Sequence, residues 1–177
     1  MSKTGELKAS RLVRDVPDFP KPGILFKDIT PVVQDYEALK EVTLKLAEWA
    51  REKGVEAVVG IEARGFIFGA PVALELGVGF VPLRKLGKLP YNCIAEEYAL
   101  EYGTNTVEIH SDSLHPGQKV VIIDDLLATG GTAAASARLV ERLGAVVVGF
   151  GFLVELAFLD GRKVLSAYDI HALLSYD

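Results

Sequence analysis

The chain has 177 residues, of which 50% are hydrophobic and 24% are charged, and its formal net charge at pH 7 is −5. These values are ordinary for one globular domain, and the acidic balance argues against a nucleic-acid binder with a broad basic surface. A single cysteine, Cys93, excludes an internal disulfide, and no run approaches the ~18 apolar residues of a membrane-spanning helix. The polar N-terminus has no signal-peptide core, so we expect a cytoplasmic protein.

The first 34 residues combine turn formers with large apolar side chains. Three prolines and a glycine fall within residues 17–23, which excludes a helix there. The segment is nevertheless too apolar for a solvated tail, because apolar side chains recur at Phe19, Ile24, Leu25, Phe26 and Ile29. We therefore expect an ordered, irregular flap whose aromatic rings form a wall for a planar ligand. A lid that serves packing alone is the alternative, and composition by itself favours it.

The next segment predicts a helix and then a strand–turn–helix unit. Asp35 is a suitable N-cap for an amphipathic helix over residues 36–53. A strand over residues 57–61 leads into a polar turn over residues 62–65 and a helix to about residue 76. Arg64 thus follows the carboxyl end of a strand, where a guanidinium either binds phosphate or forms a structural ion pair.

A basic cluster follows the next strand, which we predict over residues 79–83. The cluster consists of three side chains in an otherwise acidic protein: Arg84, Lys85 and Lys88. Cations gathered in this way suggest a local anion site, although a solvated loop is the more usual reason for them. Residues 87–92 are polar and turn-rich, and they predict a mobile loop.

The stretch over residues 120–132, V-V-I-I-D-D-L-L-A-T-G-G-T, predicts a ligand site. Its first four residues indicate a buried strand, and Asp124 and Asp125 follow at the carboxyl end, where open α/β sheets bind ligands. The small residues of the loop 128–132 precede a helix, so that backbone N–H groups and the helix dipole converge on an anion. This is no Walker A loop, because Thr132 stands where that motif has lysine.

The two aspartates narrow the identity of this ligand. Beside a phosphate pocket they repel the ligand's charge, unless they accept hydrogen bonds from sugar hydroxyls or face a divalent cation. We therefore predict a ribose that carries a terminal phosphate. An ordinary strand–helix turn with a capping aspartate is the alternative, and the combination of diacid, Thr-Gly-Gly-Thr and apolar strand makes it much weaker.

The remaining segments complete an alternation of strands and helices. A hairpin breaks at residues 103–105, just after Glu101 and Tyr102, and further strands are predicted over residues 144–156 and 169–177. The alternation predicts one α/β domain over the whole chain, with a mainly parallel central sheet flanked by helices. The three histidines lack metal-ligand spacing, and Cys93 has no nucleophile context.

Residues 120–132 resemble the phosphoribosyl-pyrophosphate motif of the type I phosphoribosyltransferases. Further blocks extend the resemblance over most of residues 19–156 and are similar to the adenine phosphoribosyltransferases: F-P-K-P-G-I-L-F-K-D-I-T, E-A-R-G-F-I-F-G, R-K-L-G-K-L-P and L-E-Y-G. The resemblance implies a purine salvage enzyme that converts adenine and 5-phosphoribosyl pyrophosphate to AMP and pyrophosphate. It also implies the type I phosphoribosyltransferase fold, a base-binding hood over about residues 1–34, and a homodimer that binds neither nucleic acid nor membrane.

The resemblance further implies roles for individual residues. The phosphoribosyl group would contact the acids and the loop: Asp124, Asp125, Ala128, Thr129, Gly130, Gly131 and Thr132. Pyrophosphate would contact Ala63, Arg64, Arg84, Lys88, which the neighbouring subunit could supply, and Tyr102. Adenine would be framed by Leu25, Phe26, whose ring stacks on it, Lys27, Arg64 and Leu156. Glu101 would act as the general acid/base for the purine.

Two expectations from the resemblance concern the metal and the hood. Mg²⁺ is expected as a cofactor, held mainly by substrate and water and not by protein ligands. Lys27 departs from the arginine that similar enzymes often carry. The change is neutral if only its backbone meets the base, but it alters the hood if a planar guanidinium is needed.

Two alternatives remain open at this point. The first is a phosphoribosyltransferase for a 6-oxopurine, which would need a donor for O6, and no lysine stands in the strand before Glu155 to provide one. The second is a non-catalytic regulator that senses phosphoribosyl pyrophosphate and binds nucleic acid. It would need a basic face or an added DNA-binding segment.

Overall fold

A computed structural model describes residues 6–99 and 103–177 of the chain. The helices are α1 (Lys8–Leu12), α2 (Thr30–Gln34), α3 (Tyr36–Arg51), α4 (Gly65–Leu76), α5 (Gly131–Arg142) and α6 (Gly161–Val164). The strands are β1 (Arg14–Pro17), β2 (Leu25–Asp28), β3 (Ala57–Ile61), β4 (Gly79–Lys85), β5 (Cys93–Ala99), β6 (Thr104–His110), β7 (Lys119–Leu127), β8 (Val146–Leu156) and β9 (Ile170–Tyr176). Within the described ranges, no helix has the length and apolar character to cross a membrane.

Seven strands form the central sheet, in the spatial order β5-β6-β4-β3-β7-β8-β9. The strands β4, β3, β7, β8 and β9 pair in parallel, and the antiparallel hairpin of β5 and β6 joins β4 at one side. The predicted mainly parallel α/β sheet is therefore confirmed, and β9, within the strand predicted over residues 169–177, lies at one edge of it. Because parallel strands end on the same side, the turns after β3, β4, β7 and β8 gather along one line, here called the carboxyl edge.

Strand β7 shows how helices cover both faces of the sheet. Successive side chains of a strand point to opposite faces. Val120 and Ile122 pack in a hydrophobic cluster with residues of α5, whereas Val121 and Ile123 pack in a second cluster with residues of α3 and α4. All four side chains are fully buried. This burial fixes where β7 ends and thus where its polar residues emerge.

The N-terminal hood is more regular than the predicted irregular flap. β1 and β2 form an antiparallel pair in which Arg14 lies opposite Asp28 and Val16 opposite Phe26. The expected exclusion of a helix from residues 17–23 is confirmed, since the prolines after Pro17 fall in the loop between the strands. The prediction missed the strands because each has only four residues.

Several boundaries also differ from the predicted ones. The Asp35 cap is confirmed, but α3 ends at Arg51, two residues early. β7 continues past Ile123 to Leu127, because it still pairs with β8 after its pairing with β3 has ended. The two aspartates therefore lie inside β7, where it extends beyond β3. Thr104 and Asn105, which we placed in the hairpin break, pair with Ala99 and Tyr98 as the first two residues of β6.

Candidate active site

The loop between β7 and α5 forms a cradle of backbone atoms. Gly130 has a φ of 83°, in the left-handed region, and α5 begins at the next residue. Ala134 N donates to Gly130 O at 2.9 Å, and the N–H groups that precede it have no intrahelical partner. A cavity of 80 Å³ is lined by Asp124, Leu126, Leu127, Ala128, Thr129, Gly130, Gly131, Thr132, Ala133 and Phe152. The five loop residues predicted to hold a phosphate thus line one small cavity.

Two contacts that the sequence did not predict support this loop. A Cβ atom on Gly161 would lie 2.3 Å from Ala128 O, and one on Gly130 would lie 2.8 Å from Gly161 O. The two backbone segments therefore approach more closely than side chains permit. On the other side, Thr132 Oγ1 donates to the Tyr98 hydroxyl at 3.0 Å, which ties the loop to β5.

Asp124 and Asp125 form a close pair of acids on β7. Asp124 is half-buried, and Asp125 is only 4% exposed. Asp125 N donates to Asp124 Oδ1 at 2.8 Å, and Arg64 Nε lies 2.9 Å from Asp125 Oδ2 without the alignment of a hydrogen bond. Burial raises the pKa of both carboxyl groups; the charge of Asp125 adds to the rise at Asp124, and Arg64 opposes it. A ligand that brings hydroxyl donors or a cation would therefore stabilise the ionised form of this pair.

The turn after β3 is packed directly against these acids. A Cβ atom on Gly65 would lie 2.7 Å from Ile123 O and 3.0 Å from Asp124 Oδ1, so α4 starts in contact with β7. Ala63 and Arg64 are exposed at the carboxyl edge, and the peptide bond between Glu62 and Ala63 is cis. The predicted proximity of Arg64 to the ligand region is therefore a consequence of close backbone packing at Gly65.

The basic cluster is held by a carboxylate that the sequence did not identify. Arg84 Nε and Nη2 donate to Glu62 Oε2 and Oε1 at 3.2 and 2.8 Å, a bidentate pair. Lys85 N donates to the same carboxylate at 3.0 Å, and Lys88 Nζ lies 3.9 Å from it. The hydrogen bond from Arg84 lowers the pKa of Glu62. The Arg84 guanidinium is thus already paired within the chain, while the Lys88 side chain remains largely exposed.

A second carboxylate fixes the backbone of the same turn. Glu108 is buried on β6, and its Oε1 accepts from Lys88 N and Leu89 N, both at 2.9 Å. Arg84 Nη1 also donates to Lys88 O at 3.0 Å. The predicted mobile loop is therefore anchored at its start by hydrogen bonds from two neighbouring strands.

The hood brings one aromatic ring to the carboxyl edge. The Phe26 ring lies edge-on to Phe19 at 5.1 Å, and the Arg64 guanidinium carbon is 5.8 Å from its centroid. Leu25 is exposed, and Leu156 is half-buried at the end of β8. Lys27 differs from its neighbours, because its ammonium donates to Asp15 Oδ1 at 2.6 Å. A contact between this residue and a base would therefore fall to its backbone.

A cavity of 510 Å³ connects most of these groups. Its lining combines both acids of β7, the turn after β3 and the adjoining hairpin: Ile61, Glu62, Ala63, Arg64, Lys85, Tyr98, Asn105, Val107, Asp124, Asp125, Leu126 and Thr132. The structure thus brings together residues predicted for the ribose, the phosphate and the pyrophosphate. The predicted acid/base Glu101 and the predicted pyrophosphate ligand Tyr102 lie outside the described residues.

Sequence reasoning missed the residues that support the site. Glu62 and Glu108 were not singled out, and neither were Tyr98 and Gly161. The block E-A-R-G contained Glu62, but nothing local in the sequence indicated that its carboxylate pairs with Arg84. Cys93, to which the sequence assigned no role in the chemistry, donates its thiol to Tyr91 O at 3.2 Å, and burial raises its pKa.

Comparison with known proteins agrees with this geometry. Residues 33–172 match the family model described as a phosphoribosyl transferase domain. An adenine phosphoribosyltransferase from Nitrosococcus oceani is 58% identical over 164 residues, which are 93% of this chain and 96% of the relative. The crystal structure of an adenine phosphoribosyltransferase from Thermoanaerobacter pseudethanolicus superimposes with a TM-score of 0.92 at 54% identity, covering 95% of this chain and 98% of that one.

A further similar structure contains ligands. It is the adenine phosphoribosyltransferase from Saccharomyces cerevisiae complexed with an imino-altritol bisphosphate and adenine, with a TM-score of 0.88 and 41% identity over 94% of this chain and 96% of that one. Both the family model and these identities extend over most of the chain. The chain therefore belongs to the phosphoribosyltransferase family, and within it to the adenine phosphoribosyltransferases.

Proposed function

We propose that this chain is a purine salvage enzyme that transfers the 5-phosphoribosyl group from phosphoribosyl pyrophosphate to adenine, giving AMP and pyrophosphate. The observation that carries this proposal is the 510 Å³ cavity at the carboxyl edge, which is lined by both acids of β7 and by the cations Arg64 and Lys85, and which shares Asp124, Leu126 and Thr132 with the cavity of the phosphate cradle. These are the groups that a sugar carrying a phosphate and a pyrophosphate requires. Relatives named adenine phosphoribosyltransferase support the choice of base.

Each part of the cavity has a proposed part of the substrate. The loop 128–132 binds the 5′-phosphate through the N–H groups at the start of α5 and the hydroxyls of its threonines. Asp124 and Asp125 accept hydrogen bonds from the ribose hydroxyls. Donors at this position relieve the repulsion between the carboxylates of the half-buried Asp124 and the buried Asp125, which is the physical support for the assignment.

The pyrophosphate lies beside the basic cluster and the turn after β3. Ala63 offers its backbone, and Arg64, Arg84 and Lys88 offer cations. Negative charge grows on pyrophosphate as its bond to C1 breaks, so these cations stabilise the transition state more than the ground state. Tyr102 is assigned to the same group by the resemblance alone.

Mg²⁺ is the proposed cofactor, and it would be held mainly by the substrate and by water. Within residues 6–99 and 103–177 no group of three or more His, Cys, Asp and Glu is arranged to hold a metal ion. The two aspartates fit a more limited role, since their negative charge would favour a nearby cation and Asp125 Oδ2 has no aligned hydrogen-bond donor. When bound, Mg²⁺ neutralises charge on the leaving group.

The base is held by the hood, about residues 1–34 of a single domain over residues 1–177. Phe26 stacks on adenine, Leu25 and Leu156 frame its edges, the backbone of Lys27 meets it, and Arg64 lies near it. Support for this arrangement is the Phe26 ring at the carboxyl edge, facing the guanidinium that borders the sugar site. Glu101 removes the proton that the purine loses on forming its bond to C1.

The decisive experiment for the base is a purine panel. The protein is incubated with phosphoribosyl pyrophosphate, Mg²⁺ and, in turn, adenine, hypoxanthine, guanine and xanthine. We expect AMP formation from adenine to exceed product formation from each 6-oxopurine by about 10²-fold or more. Turnover of hypoxanthine or guanine at a rate equal to that of adenine would contradict the assignment.

Glu101→Gln distinguishes the enzyme from a sensor. The variant should still bind phosphoribosyl pyrophosphate in calorimetry, while kcat falls by about 10²–10⁴-fold because the proton-transfer group is lost. A sensor has no need for such a group. Asp112→Asn, a change at an exposed acid, serves as the control with parental kcat. Near-normal turnover of Glu101→Gln would remove the proposed role of this residue.

The enzyme acts in the cytoplasm as a homodimer. Its one cysteine is a free thiol, which fits a reducing compartment. The surface of α3 and α4 carries exposed apolar side chains, including Leu74 at 82% and Tyr36 at 69%, and such a patch fits a second copy. Sedimentation velocity checks the assembly: full activity in a species of 19.1 kDa would exclude the dimer.

A further inference from the structure

Lys27 follows Phe26 on β2, so the two side chains lie on opposite faces of the hood. Neighbouring side chains of a strand point in opposite directions. The Phe26 ring faces Arg64 at the carboxyl edge. The Lys27 side chain therefore extends to the other side of the two-stranded hood, and it is only 11% exposed there.

The Lys27 ammonium has two partners on that side. Asp15 lies directly opposite in the β1–β2 register, and its Oδ1 accepts from Lys27 Nζ at 2.6 Å. The same Nζ lies 4.2 Å from the centroid of the Tyr176 ring, within the range of a cation–π contact. Asp15 belongs to the hood, whereas Tyr176 is the last residue of β9 in the central sheet.

Tyr176 connects this contact to the base pocket. In the β8–β9 register it lies beside Leu156, one of the residues proposed to frame adenine. The base-binding wall formed by Phe26 and the frame formed by Leu156 thus belong to separate sheets. The stack of Asp15, Lys27 and Tyr176 joins these two sheets next to the pocket.

From this geometry we infer that Lys27 is a positioning residue. Its contacts hold the hood at the distance from the central sheet that adenine binding requires. The inference rests on the proposed function. It explains why lysine can stand at this position, because the contact needs a cation over a ring and a single carboxylate, and not a planar fork. Lys27 acts through Phe26 and Leu156 and donates no side-chain hydrogen bond to the base.

The test compares Lys27→Met, which keeps an unbranched apolar stem, with Lys27→Arg, which keeps the cation. We expect Lys27→Met to raise the KM for adenine about tenfold, equal to about 1.4 kcal/mol, with kcat and the KM for phosphoribosyl pyrophosphate within about twofold. Lys27→Arg should stay within about threefold of the parent enzyme. Tyr176→Leu removes the ring from the other side and should reproduce the rise.

Lys53→Met is the matched control. Lys53 lies outside the hood and makes the same two kinds of contact, an ion pair with Asp169 and a cation–π contact at 5.1 Å from the centroid of the Trp49 ring. Its loss should lower thermal stability and leave the KM for adenine unchanged. An unchanged KM in Lys27→Met, or a Lys27→Arg variant as impaired as Lys27→Met, would overturn the inference.

Hydrogen exchange gives a readout that does not require turnover. Lys27→Met should speed exchange of the β2 amides at least tenfold and leave α5 unchanged, whereas unchanged exchange in β2 would overturn the inference. If the parent enzyme made no AMP from adenine, the proposed function would fail while this measurement still decided the role of Lys27.

Discussion

The acids at the carboxyl edge form two pairs, and the fold shifts the pKa values of the two pairs in opposite directions. Asp124 and Asp125 lie together on β7, and burial raises their pKa values. Glu62 receives hydrogen bonds from Arg84, which lower its pKa. Burial of Glu108 would raise its pKa, but the backbone N–H groups of residues 87–89 outweigh burial and lower it. One pair resists ionisation, and the other is held in the ionised state.

This difference distinguishes a ligand site from its supporting structure. The carboxylates of the basic turn have their donors within the chain and hold cations and backbone in place. On β7, within the described part of the chain, Asp124 Oδ1 accepts only from the neighbouring Asp125 N, and Asp125 Oδ2 has no aligned hydrogen-bond donor, so that a sugar would complete what the fold leaves unsatisfied. Perturbed acids in a cavity of this kind are typical of functional sites. The phosphate loop beside them depends on backbone geometry and not on charge.

Among the residues that support the site, Gly161→Ala should have the largest effect, and it tests that dependence on backbone geometry. The added methyl group would lie 2.3 Å from Ala128 O and must displace the loop. We expect the KM for phosphoribosyl pyrophosphate to rise about 100-fold, or about 2.7 kcal/mol. Gly79→Ala is the control, because no atom lies within 4 Å of its added Cβ. A KM within twofold of the parent would show that the loop does not need this close approach.

Glu62→Gln tests the pair of acids, Glu62 and Glu108, whose carboxylates have hydrogen-bond donors within the chain. Glu62 is 12% exposed and accepts three hydrogen bonds, so we expect the free energy of unfolding at pH 7 to fall by about 2 kcal/mol. That corresponds to a melting temperature lower by about 4–8 °C. Because the folded-state pKa is lowered, the stabilisation is present above the ordinary glutamate pKa of about 4.3 and is lost as the pH falls through the lowered value. A deficit that persisted unchanged in acid would contradict an ionic cause.

The contacts of Glu62 and Glu108 also show what the sequence could predict and what it could not. The strand over residues 57–61 and the phosphate loop were predictable because strand, turn and helix signals are local. The pair of Glu62 with Arg84 spans 22 residues, and the bond from Lys88 N to Glu108 spans 20. Such pairs depend on strand order and register across β3, β4 and β6, which no local pattern specifies. The cations could therefore be predicted, and their carboxylate partners could not.

Prediction of the hood from the sequence met the same limit, because no local pattern specifies how its two strands pair. Its apolar composition predicted an ordered segment, and the resemblance singled out Phe26 and Lys27. Whether Lys27 faces the base depends on the β1–β2 register, which sets it opposite Asp15. The close approach of Gly161 to Ala128 was also beyond prediction, because it joins segments that follow different strands.

Asp124→Asn tests the unsatisfied pair, and the sign of its effect should be opposite to that of Glu62→Gln. Because its folded-state pKa is raised, Asp124 destabilises the folded state progressively as the pH rises above the ordinary aspartate pKa of about 3.9, and this cost is complete above the raised value. The neutral amide removes this cost, and its oxygen can still accept from Asp125 N. We expect the melting temperature at neutral pH to rise by about 2–4 °C, with a smaller gain near pH 4 and weaker binding of phosphoribosyl pyrophosphate. A lower melting temperature at every pH would contradict the description of the pair as unsatisfied.

Tyr98→Phe should have the smallest effect, and it tests whether the two halves of the cavity are connected. The Tyr98 hydroxyl accepts from Thr132 Oγ1 at 3.0 Å, so its loss frees one loop hydroxyl without moving the backbone. A neutral hydrogen bond contributes about 0.5–1.5 kcal/mol, and we expect the KM for phosphoribosyl pyrophosphate to rise about threefold in initial-rate assays. Tyr168→Phe removes a comparable bond to Glu141, at 2.8 Å and far from the loop, and should leave that KM unchanged. If the two variants behaved alike, the hairpin would only cover the loop, and backbone packing at Gly161 would be enough to hold the phosphate cradle.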